Sequence, residues 1–122
     1  MKILCICNHG NVRSAALARA IKDLNGQCIS TDLDYLEDQF IQHEAIAIGA
    51  HCSKIETIAN LSDWADLVID LSDNDEQVQI RLQEIAKKKY RRFDIGNDIW
   101  GNPFHSQLRE IVGNILQQLN VK

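Results

Sequence analysis

The chain has a single proline, Pro103, and no low-complexity stretch, internal repeat or linker-like segment along its 122 residues. The usual marks of a domain boundary are therefore missing, and one domain over residues 1–122 is expected, large enough to bury about two-thirds of its unfolded surface. No apolar run approaches the roughly 20 residues that span a bilayer, and the apolar start is too short for a secretory leader. There is no basic surplus: 13 Lys and Arg against 17 Asp and Glu leave a formal charge of −4. That balance argues against a nucleic-acid surface, and the local run Lys87, Lys88, Lys89, Arg91, Arg92 reads as a solvated helix end. The four cysteines are too irregularly spaced for a disulfide framework, so free thiols and a cytoplasmic location are expected. His43, His51 and His105 lack metal-ligand spacing, and Cys5-x-Cys7 on one strand is a poor zinc pair. Neither a metal nor another cofactor is expected.

What remains is a regular alternation of strand and helix signals. Residues 2–7 form a continuous apolar run suited to a buried parallel strand. From Ser14 to Leu24 the apolar residues Leu17, Ala20, Ile21 and Leu24 recur at helical spacing, with Gly26 as a stop. A second short strand is expected over 27–32, and 34–52 reads as a loop with one irregular helix. Residues 54–65 carry Ile55, Ile58, Ala59 and Trp64 on one helical face. Asp66–Leu71 reads as a third strand, 73–88 as a helix with Val78, Leu82, Ile85 and Ala86 inward, and 91–95 as a fourth strand. The last helix places Phe104, Leu108, Ile111, Val112, Ile115, Leu116 and Leu119 on one face, with Asn102 as its cap and Pro103 in its first turn. Strands alternating with helices predict an α/β fold with a parallel sheet covered on both faces. Ligands of such sheets bind beyond the carboxyl ends of the strands, where the strand order switches.

The segment after the first strand is such a place, and its residues are chemically unusual. Cys7-Asn8-His9-Gly10-Asn11-Val12-Arg13-Ser14 leads from a strand into a helix. Backbone N–H groups at a helix start have no partner within the helix, and a loop curling there converges them on an anion. Gly10 can take a conformation closed to most residues, and Asn11 tolerates the left-handed region. Arg13 can offer a planar fork to two phosphate oxygens. The same surroundings favour a thiolate at Cys7, with the Ser14 hydroxyl as a further donor, so the nucleophile needs no separate base.

The run Cys-Asn-His-Gly-Asn-Val-Arg-Ser, directly after the first strand, resembles the active-site loop of low-molecular-weight protein tyrosine phosphatases, whose relatives include thioredoxin-coupled arsenate reductases. Trp64–Ile69 is similar to the segment that enters the family's third strand, and Phe93–Gly101 to its acid loop. The resemblance implies a three-layer α/β/α fold of the phosphotyrosine phosphatase I type, with a four-stranded parallel sheet. It also implies a cysteine-dependent phosphatase acting on a phosphorylated protein, foremost at tyrosine, or on a small phosphate ester. The family's loop has Gly and Asn one residue earlier than Gly10 and Asn11, and many members have a second cysteine where Val12 stands. Asp98 is followed by Ile99 instead of proline.

On this resemblance Cys7 is the nucleophile, Arg13 and the N–H groups of 8–14 bind the phosphate, and Asp98 is the general acid. The rival acid is Asp94, expected in or at the end of the fourth strand. Trp100 reads either as an apolar wall beside a substrate ring or as packing for the last helix. His9 reads as a substrate contact or as a solvent-facing loop residue. Two other functions share the scaffold. A phosphate-binding protein without catalysis would retain the loop. An arsenate reductase would need resolving cysteines, and only Cys28 and Cys52 remain for that role, with none in 72–104.

Overall fold

The computed structural model describes residues 1–27, 43–51, 53–73, 75–96 and 100–119. Within them the elements run β1 (Lys2–Cys7), α1 (Arg13–Gln27), β2 (Glu44–Gly49), α2 (Ile55–Trp64), β3 (Leu67–Asp70), α3 (Glu76–Ala86), β4 (Tyr90–Arg92) and α4 (Ser106–Gln118). The four strands form one parallel sheet in the order β2-β1-β3-β4. The expected α/β architecture, a four-stranded parallel sheet flanked by helices, is the one observed.

β1 is central and apolar throughout because each of its faces is covered. Ile3, Cys5 and Cys7 lie in one core with Leu17 and Ile21 of α1 and Leu108, Val112, Ile115 and Leu116 of α4. Leu4 and Ile6 lie in the other, with Val68, Ile58 of α2, and Leu82 and Ala86 of α3. Parallel crossovers are right-handed. The chain steps from β1 to β2 in one direction and then back across β1 to β3 and β4. The reversal puts α1 on one face and α2 and α3 on the other.

The second strand differs from the expectation. Residues 28–32 of the anticipated strand lie outside the described residues, as does most of 34–52, but Glu44–Gly49 of the supposed irregular region is β2. Its Glu-Ala-Ile-Ala-Ile-Gly sequence has weak strand propensity, and pairing decides its state: Lys2 to Cys7 match Glu44 to Gly49 residue for residue. Gly26 does not end α1, which continues to Gln27. Ile55 is exposed at the start of α2, while Ile58 and Ser62 face inward. Asp75 caps α3 by accepting from the N–H groups of Gln77 and Val78.

α4 begins later than its apolar pattern suggests. Asn102 accepts from Phe104 N at 2.8 Å in a local turn, and His105 is the cap, its Nδ1 accepting from Gln107 N at 3.2 Å. Phe104 is exposed, with the Arg19 guanidinium 4.6 Å from its ring centre. The lysine run forms a 3-10 turn over Lys87–Lys89, and Lys89 Nζ donates to the carbonyl of Ser62 at the end of α2. A cation at a helix carboxyl end is the expected use. No helix of the described residues is long and apolar enough to cross a membrane.

Candidate active site

The site lies between the carboxyl ends of β1 and β3, where the strand order reverses. Cys7 is the last residue of β1, and Gly10 turns the following loop with φ of +80°. A Cβ on Gly10 would stand 2.6 Å from the Gly49 nitrogen, and one on Gly49 would stand 2.5 Å from the His9 carbonyl carbon. Two glycines thus let the loop lie directly against the end of β2. Only Gly10 takes the left-handed region here; Asn11, which could tolerate it, does not. Val12 turns into the core beside Cys7 and Ala16, and its carbonyl accepts the first bond of α1 from Ala16 N.

Cys7 Sγ is 3.1 Å from Ser14 Oγ and accepts from Gly10 N at 3.2 Å. Burial opposes ionisation of the thiol. Hydrogen bonds from the Ser14 hydroxyl and from the backbone of Ser14, Gly10 and His9 outweigh it, so Cys7 is held below the ordinary thiol value. Ser14 Oγ also lies 3.5 Å from the Ile48 carbonyl. A hydroxyl has one proton, so it turns to the sulfur when the thiolate forms. Cys5, wholly buried on the same strand without such donors, is pushed far up and is inert.

Arg13 is the first residue of α1 and is 1% exposed. Its Nη1 donates to Asp73 Oδ1 at 2.6 Å and to the Gly96 carbonyl at 2.9 Å, and its Nη2 donates to Asn8 Oδ1 at 3.1 Å. Its Nε is buried with no hydrogen-bond partner among the described residues. A buried unsatisfied donor is costly, and it matters most on a charged group. The pair with Asp73 also matches the guanidinium charge within the protein, so local hydrogen bonds are what hold the thiol down.

The parts played here by Asp73, Gly49, His51 and the Gly96 carbonyl were not expected from sequence. Asp73 had one available signal: it lies just past the end of a strand, at the sheet edge where parallel folds place their ligands. Asp94 lies two residues beyond β4, not in it, and accepts from Gly96 N at 3.1 Å, setting the turn whose carbonyl holds Arg13. Asp98 lies outside the described residues, as do Cys28 and Cys52. Trp100 packs against the core shared by α1 and α4, its ring 5.2 Å from that of His105. His9 and Asn11 are exposed on the loop, and the His9 and His51 rings stand 6.1 Å apart. The structure therefore brings together Cys7, Asn8, Gly10, Arg13 and Ser14.

No protein-family model and no curated protein sequence matches the chain. Among solved structures it is similar to YwlE arginine phosphatase, a cysteine-to-serine mutant with a phosphorylated active-site serine. The two superpose with a TM-score of 0.56 at 13% identity, over 98% of this chain and 93% of the other. The likeness is one of fold.

Proposed function

We propose that the protein is a cysteine-dependent phosphatase of the low-molecular-weight tyrosine phosphatase type, hydrolysing phosphate monoesters and foremost protein phosphotyrosine. One observation carries the reading. The Cys7 thiol, its ionisation favoured by Ser14 and the loop N–H groups, shares a loop with a buried arginine whose Nε has no acceptor among the described residues. Phosphate oxygens supply that acceptor and meet the loop donors. In the proposed reaction Cys7 Sγ attacks phosphorus in line with the leaving oxygen, and the S–P bond forms as the P–O bond breaks. Arg13 and the loop N–H groups stabilise the equatorial oxygens, and Asp98 protonates the leaving group. Water then cleaves the phosphocysteine, with Asp98 as base. The fold-level likeness to an arginine phosphatase makes phosphoarginine the natural competitor to phosphotyrosine.

The test is steady-state hydrolysis of an aryl phosphate, phosphotyrosine, phosphoserine and phosphoarginine with metal chelated, using Cys7→Ser as the blank. Expected are vanadate-sensitive turnover, a burst of leaving group at stoichiometric enzyme, and none of either in Cys7→Ser. Asp98→Ala is expected to lose roughly 100-fold or more in kcat on a poor leaving group. Vanadate binding without a burst would instead make the protein a phosphate binder, and full activity in Cys7→Ser would sink the mechanism.

A further inference from the structure

We infer that Asn8 is a positioning residue for Arg13, and that His51 holds Asn8 in place as a neutral imidazole protonated on Nδ1. The proposal rests on the phosphatase reading for its catalytic consequence, but its geometry stands alone. Two N–H donors meet one atom of the Asn8 side chain: Arg13 Nη2 at 3.1 Å and the Asp73 backbone N at 2.7 Å. That atom has to be the oxygen, because a flipped amide would set an NH2 group against both donors. The Asn8 nitrogen therefore faces His51 Nε2, 3.1 Å away. An amide nitrogen only donates, so Nε2 accepts and the imidazole proton is on Nδ1. The backbone fastens the same pair a second time, His51 N donating to the Asn8 carbonyl at 3.0 Å.

The side chain of Asn8 thus ties together the loops that follow β1, β2 and β3. Its consequence falls on the guanidinium. Asp73 and the Gly96 carbonyl both hold Nη1 and leave rotation about that corner open. The bond from Nη2 to Asn8 closes it and sets the plane in which Nε lies. A planar fork recognises phosphate only when its plane is set, so Asn8 governs how Arg13 presents itself.

The test has two arms on the full chain. In the first, 15N NMR of the His51 imidazole is recorded near neutral pH. Wild type is expected to show the Nδ1–H form, and Asn8→Ala to return it to the free imidazole's usual preference for Nε2–H. A wild-type His51 protonated on Nε2, or one indifferent to Asn8→Ala, overturns the proposal whatever the activity. In the second, vanadate affinity and aryl phosphate kinetics are compared. Asn8→Ala is expected to lose roughly tenfold to hundredfold in kcat/KM and vanadate affinity together. His51 is exposed, so its variants leave the core intact. His51→Gln, whose carbonyl can accept from Asn8, is expected to retain vanadate affinity that His51→Ala loses. Equal affinities in those two variants, or an unchanged Asn8→Ala in an active background, also overturn it. If wild type neither binds vanadate nor hydrolyses the ester, the phosphatase reading falls, and the NMR arm still judges Asn8.

Discussion

At the scale of single residues, the site turns on opposed effects at one sulfur. Burial raises the Cys7 thiol, and the donors of Ser14, Gly10 and His9 lower it further than burial lifts it. Alkylation follows the thiolate, so the midpoint of its pH–rate curve is expected below the ordinary value of about 8.5. Ser14→Ala removes a donor and moves that midpoint upward; an unmoved midpoint would show that Ser14 contributes nothing. Folding stability carries the same sign. The folded thiol binds its proton less tightly than the unfolded one, so the contribution is fully present above about pH 8.5 and is lost as pH falls through the folded value. Cys5 reverses the argument two residues away, since it is buried more deeply and lacks the donors. Cys7, Arg13 and Ser14 were legible in the sequence because their types and order state the chemistry. Asp73 and the side-chain role of Asn8 were not, because each acts through partners distant along the chain.

Among the elements, close approach of backbones decides the loop's position. Gly49 ends β2 against the His9 carbonyl, and a Cβ there meets backbone atoms that cannot swing away. Gly49→Ala is expected to destabilise by about 1–3 kcal/mol, to preserve the far-UV spectrum, and to move Cys7 alkylation toward ordinary thiol behaviour. An unchanged alkylation profile would mean that the loop is placed by something other than β2. A second device lies beneath the site at the end of β3. Asp70 is fully buried and accepts from Ser72 N and Oγ, from Tyr90 OH at 2.5 Å and from Arg92 at 3.3 Å. It fixes the turn that carries Asp73 to Arg13. Burial, together with the Asp70 carboxylate, pushes the Tyr90 hydroxyl well above its ordinary value. The folded state therefore keeps a proton that the unfolded chain releases, and stability falls as pH rises past about 10. Tyr90→Phe is expected to cost about 1–3 kcal/mol in urea unfolding at neutral pH and to flatten that alkaline decline. An alkaline decline as steep in Tyr90→Phe as in wild type would assign it to another group.

For the molecule as a whole, the order β2-β1-β3-β4 is what makes a site of these parts. Because the chain reverses direction after β2, the carboxyl ends of β1 and β3 open beside each other. The loop of 8–12 fills that opening, with Arg13 reaching from α1 to the turn after β3. The fold class was legible because alternating periods of apolar residues are a local property, read within about 15 residues. The strand at Glu44–Gly49 and the late start of α4 were not, because alanine-rich and loop-like sequences took their state from neighbours in space. By itself, the sequence determined the covered parallel sheet and the thiol–arginine loop at its first turn. Only the tertiary structure decided which partners hold that loop: Gly49 at the end of β2 and His51 just beyond it, Asp73 from beyond β3, the Gly96 carbonyl from beyond β4. The reason is physical. A thiol and its cation are chosen by residue type, whereas the atoms that aim them are chosen by distance, which a linear chain does not contain.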